Sequence, residues 1–301
     1  MQNRPACAPG WKLQPPDALV GDFPLKLVRF STDDMPVRFG ILDGETIAPL
    51  DAKMQDAREV IARWDELVPP KGADGRLGLG EVTLLAPIAR PGKIFAIGLN
   101  YADHIAESQL GTPEHQVWFT KAPTAVNGPY DRIEIPSEPS AVDYEAELVA
   151  VVGKGGRDLT REQAAGAVFG YCVGNDVTER AWQHRTPQWA LGKSFDTHAP
   201  IGPWITIAEG AGDPHALDIK SWVNGELRQS SNTSHLVFDI WDQIAHLSHA
   251  MTLEAGDLIF TGTPGGIGAA MSPRQFLQPG DVVRVEIEGL GFIENIAALR
   301  S

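Results

Sequence analysis

Cysteine is almost missing from this chain. Cys7 and Cys172 are its 2 cysteines, far apart and outside any Cys-x-x-Cys pair, which excludes a disulfide framework and a thiolate zinc site. Positive charge is also short. Lys and Arg total 25 against 39 Asp and Glu, a formal charge of −14, so phosphate backbones and anionic membranes are repelled. No window approaches the roughly 20 apolar residues that span a bilayer, and the opening MQNRPACAPGWKLQPP lacks the apolar run of a secretion signal. These absences point to a cytoplasmic protein that binds neither nucleic acid nor membrane. No G-x-S-x-G elbow supports a serine nucleophile. The Gly-rich FTGTPGGIG lacks both the Lys of a P-loop and a complete G-x-G-x-x-G, so a nucleotide is discounted.

What is present is enough for a sizeable core: 301 residues, 43% hydrophobic and 21% charged. Residues 1–20 are Pro-rich and polar and read as an arm with little structure of its own. PLKLVRFS, VRFGIL and ETIAPL follow as short β-type runs separated by turn chemistry, and DAREVIARWDELV has helical spacing. PPKGADGRLGLG then breaks all periodicity. This divides the chain into the arm, a small N-terminal α+β domain over 21–88 and a catalytic domain over 89–301. In the latter, many short strand candidates are punctuated by most of the chain's 31 Gly and 23 Pro, a β-rich α+β pattern. Two helices stand out. LTREQAAGAVFGY opens with a Thr160–Gln163 capping box, and SHLVFDIWDQIAHLSHA repeats Leu236, Val237, Ile240, Trp241 and Ile244 on one helical face.

The segment VDYEAELVAVVGK sets Glu145 and Glu147 one residue apart in an apolar strand. Alternation puts them with Val149 and Val151 on one face and Tyr144, Ala146, Leu148 and Val152 on the other. Two carboxylates about 7 Å apart on a buried face need a positive charge between them; a hard dication fits, and so does a strand entrance facing water. Asp176, in FGYCVGNDVTERAWQ, stands where a strand gives way to a polar turn. It can cap the following helix, or join Glu145 and Glu147 as half of an octahedral shell, leaving the other positions to water or substrate.

The segments GLNYADHIAES, FTKAPTA, DYEAELVAVVGK, GYCVGNDVTERAWQ, ALGKSFDTHAPIGPW, VNGELRQ and GDLIFTGTPGGIG resemble, in kind, order and spacing, those of the fumarylacetoacetate hydrolase family. The resemblance spans roughly residues 90 to 296. It implies a mixed β-sandwich roll with a small N-terminal domain, a homodimer, and Glu145, Glu147 and Asp176 as ligands of Mg²⁺, with Mn²⁺ or Ca²⁺ as substitutes.

His104 and Glu107, three apart, share a face of a helical turn. Either they are a solvated surface pair, or the carboxylate fixes the imidazole as a base. The resemblance implies the second, as the lid dyad of hydrolysing and decarboxylating members, which isomerising members tend to lack. Lys121 and Lys193 sit among apolar and small residues, where an ammonium covers apolar surface with its stem or neutralises an oxyanion; the resemblance implies active-site roles for both. Arg180 and Gln183 follow Asp176 by four and seven residues and fit one helical face lining the same cavity, where Arg would meet a substrate carboxylate; a surface Arg is the alternative. Thr263 and its glycines allow close approach to a ligand or serve a turn.

The expected reaction is hydrolysis of a 2,4-diketo acid, an acylpyruvate or a 2,4-diketo-3-deoxy sugar acid, to pyruvate and a carboxylic acid. His104 and Glu107 activate water, while Lys193 and Thr263 support developing charge. The same site suits decarboxylation or isomerisation of oxaloacetate or a related 2-keto acid, or dehydration of a 2-keto-3-deoxy sugar acid. A Schiff base on Lys193 or Lys121 is a different mechanism.

Overall fold

The computed structural model describes residues 24–67, 75–108, 111–136 and 140–300; the arm expected over 1–20 lies outside them. The N-terminal part contains β1 (Lys26–Ser31), β2 (Arg38–Asp43), β3 (Thr46–Pro49), α1 (Ala57–Ala62), β4 (Leu77–Gly78) and β5 (Thr83–Leu85). There follow β6 (Ile94–Gly98), α2 (Ala102–Ser108), β7 (Val117–Thr120), β8 (Val126–Asn127), β9 (Ile133–Ile135), β10 (Val142–Asp143), β11 (Ala146–Val152), α3 (Arg161–Ala167) and β12 (Val168–Asn175). The chain continues through β13 (Thr178–Glu179), α4 (Arg180–Gln183), α5 (Ala190–Lys193), β14 (Ala199–Ile207), β15 (Asp218–Val223), β16 (Glu226–Asn232), α6 (Ile240–Ala250), β17 (Leu258–Phe260), β18 (Val282–Ile287) and β19 (Gly291–Leu299).

Turn chemistry at the Asp43–Gly44–Glu45 corner, where Gly44 takes φ +60°, folds β2 back on β3. β1 pairs β2 on one side and β14 on the other, with Lys26 opposite Thr206 and Leu27 opposite Ile205. The N-terminal strands thereby extend the main sheet, whose order is β4-β3-β2-β1-β14-β12-β11-β17-β6-β7, with β5 on β1 and β8 on β14. A five-stranded sheet, β16-β15-β18-β19-β9, packs against it. This is a β-rich α+β fold, a sandwich rolled from two sheets.

The centre of the large sheet is β11, buried along its whole length. Val149 and Val151 join one core with Cys172, Phe260, Ile201 and α1's Val60 and Ile61. Ala146, Leu148, Ala150 and Val152 join the other, with Tyr171, Ile219, Val285, Ile240 and Ile244. The alternation read from the sequence holds. Each fully buried Val or Leu contributes about 1.5–3 kcal/mol, and the packing leaves no slack: a Cβ added at Gly174 on β12 would meet Val149 Cγ2 at 2.5 Å and Phe260 Cε1 at 2.8 Å.

Helix ends follow local chemistry. Thr160 and Gln163 cap α3 reciprocally. Asp56 caps α1, which gives way to a 3₁₀ turn at Trp64–Glu66, so the helix expected from DAREVIARWDELV is shorter than its periodicity. The helix expected from Ser234 onward begins only at Ile240, because Asp239 accepts from Asp242 N at 2.9 Å and caps it there. Leu236 and Val237 consequently lie outside α6; Leu236 bridges Tyr101, and Val237 N donates to Asn100 O at 2.8 Å.

Candidate metal centre

Strand register brings the acids together. β11 and β12 are antiparallel with Ala146 opposite Asn175 and Glu147 opposite Gly174, so Asp176, just past the end of β12, lies beside Glu145 and donates its N–H to Glu145 O at 2.8 Å. Asn175 Oδ1 accepts from Glu145 N at 3.0 Å. On the other flank β17 pairs Phe260 with Val149, and two residues further on Gly262 N donates to Glu147 Oε2 at 2.8 Å. Glu147 therefore lies between two glycines. Gly262, at φ +109°, has no room for a Cβ beside Asn100.

Carboxylate oxygens of Glu145, Glu147 and Asp176 lie within 4.8 Å of one another, and all three residues are buried. Neither solvent-facing reading survives. Asp176 is no helix cap either: Glu179 caps α4, accepting from Ala181 N at 3.0 Å. Three converging anionic oxygens in a closed pocket suit a hard dication such as Mg²⁺, Mn²⁺ or Ca²⁺.

The surrounding cations are equally buried. Lys193 Nζ lies 2.7 Å from Glu145 Oε2 and 2.6 Å from Asp176 Oδ2, with the Phe119 ring 4.7 Å below it. Lys121 Nζ donates to Asp176 Oδ1 at 2.5 Å, and Ser194 Oγ, beside Lys193, accepts from Ala122 N at 2.9 Å, tying the two lysine segments together. Burial opposes the charge on Lys193, yet Asp176 and Glu145 outweigh it and raise its pKa. For Lys121 burial wins over Asp176 and the pKa falls.

Arg180 Nη2 lies 2.6 Å from Glu145 Oε1 and 2.8 Å from Asp143 Oδ2, and Nη1 donates to Gln183 Oε1 at 3.0 Å. Arg180 and Gln183 do share one face of α4, both buried, and the guanidinium braces a candidate metal ligand. Burial opposes ionisation of Glu145, but Lys193 and Arg180 hold its carboxyl well below the usual range, with His104 adding to the same field. Glu147 makes no ion pair among the described residues: burial, then Asp176 and Glu145, push it well above, against a weaker pull from Lys193 and the Gly262 N–H. A buried acid that needs more positive charge than the chain provides is the expected signature of a cation ligand.

The dyad is assembled on α2. His104 Nδ1 lies 2.8 Å from Glu107 Oε1, with the side chains 12% and 24% exposed. Glu107 Oε2 accepts from Gly266 N at 2.8 Å. Thr263, buried, accepts at Oγ1 from Gln229 Nε2 at 2.8 Å. The Gly-rich loop thus grips three acids through its backbone: Glu147 at Gly262, Glu107 at Gly266, and Asp143 at Gly268 and Ala269.

Two residues here carry no role in the sequence reading. Asp143 is fully buried between that loop and Arg180, and Gln229 bonds Thr263 and β11. Both lie in quoted segments, DYEAELVAVVGK and VNGELRQ, but their partners are distant in sequence. An Asp before an apolar strand is the only local signal.

Residues 93–297 match the fumarylacetoacetate (FAA) hydrolase C-terminal family, and residues 25–87 match the Rv2993c-like N-terminal family. The chain is 45% identical over 216 residues, 71% of its length and 69% of the relative's, to the mitochondrial oxaloacetate tautomerase Fahd2a of Rattus norvegicus. It is 42% identical over 255 residues to the oxaloacetate tautomerase YisK of Bacillus subtilis, covering 83% of this chain and 84% of that protein. Among solved structures, maleylpyruvate hydrolase from Sphingobium sp. SYK-6, in complex with manganese(II) and pyruvate, superposes with TM-score 0.76 at 33% identity, covering 92% of this chain and 100% of that one.

Proposed function

Because this chain belongs to the fumarylacetoacetate hydrolase family, we propose that it interconverts the keto and enol forms of oxaloacetate or a closely similar 2-keto acid, using a divalent cation held by Glu145, Glu147 and Asp176. The observation that carries this reading is the convergence of three buried carboxylates; the His104–Glu107 pair, which the resemblance tied to hydrolysing and decarboxylating members, is read here as the proton-transfer dyad of a tautomerase. Likeness to two oxaloacetate tautomerases supports proton transfer at C3 over the carbon-carbon cleavage first expected from the sequence.

Charge supports an anionic substrate. Counted at full ionisation, the buried carboxylates of Asp143, Glu145, Glu147 and Asp176 exceed the buried cations Lys121, Lys193 and Arg180 by one; a dication would favour the ionised form of Glu147 and turn that balance to one net positive. When bound, that cation, Mg²⁺ in our reading, would supply positive charge to the keto acid's carboxylate and 2-oxo oxygens. The chain's own groups do the rest. His104, its tautomer fixed by Glu107, takes a proton from C3 as the 2-oxo oxygen gains charge. Lys193 and Thr263 donate to that oxygen; solvent water delivers a proton to it, and His104 returns the C3 proton to solvent, completing the enol with no net gain or loss of protons. Lys121, Arg180 and Gln183 hold the acids and the substrate's carboxylate in register.

A second reading, hydrolysis of a 2,4-diketo acid, is favoured by the same dyad, since His104 can equally activate water, and by the likeness to maleylpyruvate hydrolase. Freshly dissolved enol oxaloacetate, followed by its absorbance with Mg²⁺ or EDTA while pyruvate and CO₂ are assayed, separates the outcomes. Metal-dependent enol loss without pyruvate supports tautomerisation. Pyruvate plus acid from an acylpyruvate would replace it with hydrolysis, and pyruvate plus CO₂ from oxaloacetate with decarboxylation. No helix of the described residues is long and apolar enough to cross a membrane; we add to the proposal a cytoplasmic homodimer, checked by sedimentation and fractionation.

A further inference from the structure

Gln229, on β16 in the second sheet, is fully buried, and its amide can adopt only one sense. Ala146 N–H, between Glu145 and Glu147, can only donate, so the atom facing it at 2.9 Å is the amide oxygen, which also accepts from Ser221 Oγ at 2.9 Å. The amide nitrogen then donates to Pro264 O, an obligate acceptor, at 2.8 Å, and to Thr263 Oγ1 at 2.8 Å. Both hydrogens and both lone-pair directions of the amide are filled. The Thr263 hydroxyl therefore receives a hydrogen bond from Gln229 and must direct its own proton elsewhere; among the described residues it donates to no protein acceptor.

We propose that Gln229 is a positioning residue: its fixed amide donates to the Thr263 oxygen, so that the hydroxyl proton is turned away from Gln229 and left to be donated to the oxyanion of a bound keto acid. The inference rests on the metal and keto-acid reading of the site. Without Gln229 the hydroxyl is free to accept as well as donate, and with an acceptor in its place the proton points away from the substrate. The second sheet thereby sets the polarity of a group beside the catalytic acids, linking β16 to Glu147 through the short run Gly262–Thr263–Pro264.

Oxalate, a planar mimic of a 2-keto acid's oxyanion, reads this without turnover. Calorimetric titration of the Mg²⁺-loaded protein is expected to show about a 10-fold or greater loss of oxalate affinity in Thr263→Val and in Gln229→Glu, as for a hydrogen bond to a charged group. Thr263→Ser keeps the wild-type affinity, and Mg²⁺ affinity stays within about twofold in all of them. In the Thr263→Val background, Gln229→Glu causes no further loss, because both changes remove one donor. The proposal is overturned if Thr263→Val binds oxalate like the parent, if the Gln229 change costs the same factor in both backgrounds, or if Mg²⁺ affinity falls in step. Gln229→Met, which also removes the fixed donor, carries the same comparison should Gln229→Glu not fold. A wild type that fails to tautomerise oxaloacetate yet shows this coupling would sink the functional reading and leave the inference standing.

Discussion

Two sets of ion pairs in this molecule use the same residue types to opposite ends. On the surface, Arg58 pairs Asp56 at 2.7 Å and Arg63 bridges Glu59 and Glu66 at 3.2 and 3.0 Å, every partner about half exposed or more. In the interior, Lys193, Lys121 and Arg180 meet Glu145, Asp176 and Asp143 at similar distances with almost no exposure. Distance does not distinguish them; water does. Screened pairs contribute little, whereas a buried set carries a desolvation cost that stability alone does not justify. On the proposed function the interior charges are held for chemistry, and that reading can be broken residue by residue.

The largest effects are expected within the interior set. Glu147→Gln should abolish Mg²⁺ binding and lower turnover about 10³-fold or more, yet raise the melting temperature of the metal-free protein, because it removes a buried acid whose raised pKa costs stability above the ordinary carboxylate range. Asp176→Asn should lose turnover similarly but destabilise by about 3–5 kcal/mol, since it takes from Lys121 its carboxylate partner and leaves Lys193 with Glu145 alone. Equal melting shifts in the two variants would erase the distinction between a paired and an unpaired acid. Next comes the dyad, half-way to the surface: His104→Ala should lower turnover about 10²-fold with metal affinity and melting unchanged, measured by calorimetry and steady-state kinetics. A His104→Ala protein with parental turnover would mean a structural ion.

A smaller effect concerns a buried group kept neutral. His198 is fully buried, its Nε2 2.8 Å from Glu134 O, and burial depresses its pKa to about 3. In the unfolded chain it takes up a proton below its ordinary value near 6.5, in the folded protein only near 3, so its contribution is intact above about pH 6.5 and is lost as pH falls from there. Chemical denaturation of His198→Asn against the parent, between pH 7 and 4, should isolate a slope of up to about 1.4 kcal/mol per pH unit; parallel curves would refute it. The smallest effect is at the surface. Arg161 bridges Asp239 and Asp242, joining α3 to α6, with half its side chain exposed, and Arg161→Ala should leave melting and turnover at parental values. A large loss there would show that exposure is no guide to what these pairs do.

Much of the fold was legible because its signals are local. Alternation in AELVAVV set both faces of β11, and the Thr160–Gln163 pair marked the start of α3. Three acids and the His104–Glu107 spacing were readable as chemistry, their convergence less so. Asp176 carried the composition of a helix cap, and only its register against Glu145 shows otherwise. Leu236 and Val237 matched α6's periodicity but were claimed by Tyr101 and Asn100, distant in sequence. Gln229 and Asp143 escaped for the same reason, since a hydrogen bond between remote segments leaves no period behind.

The pairing of β1 with β14 has a consequence for biosynthesis. Leu27 leaves the ribosome long before Ile205; at about 5–20 residues per second the wait is on the order of 10–30 s. Meanwhile β2 covers one edge of β1 and β5 takes Arg29–Ser31 on the other, leaving Lys26 and Leu27 of that edge open until β14 arrives. A nascent chain with an unclaimed strand edge invites pairing with its neighbours on the same messenger, so crowded translation is where this protein is most exposed to misassembly.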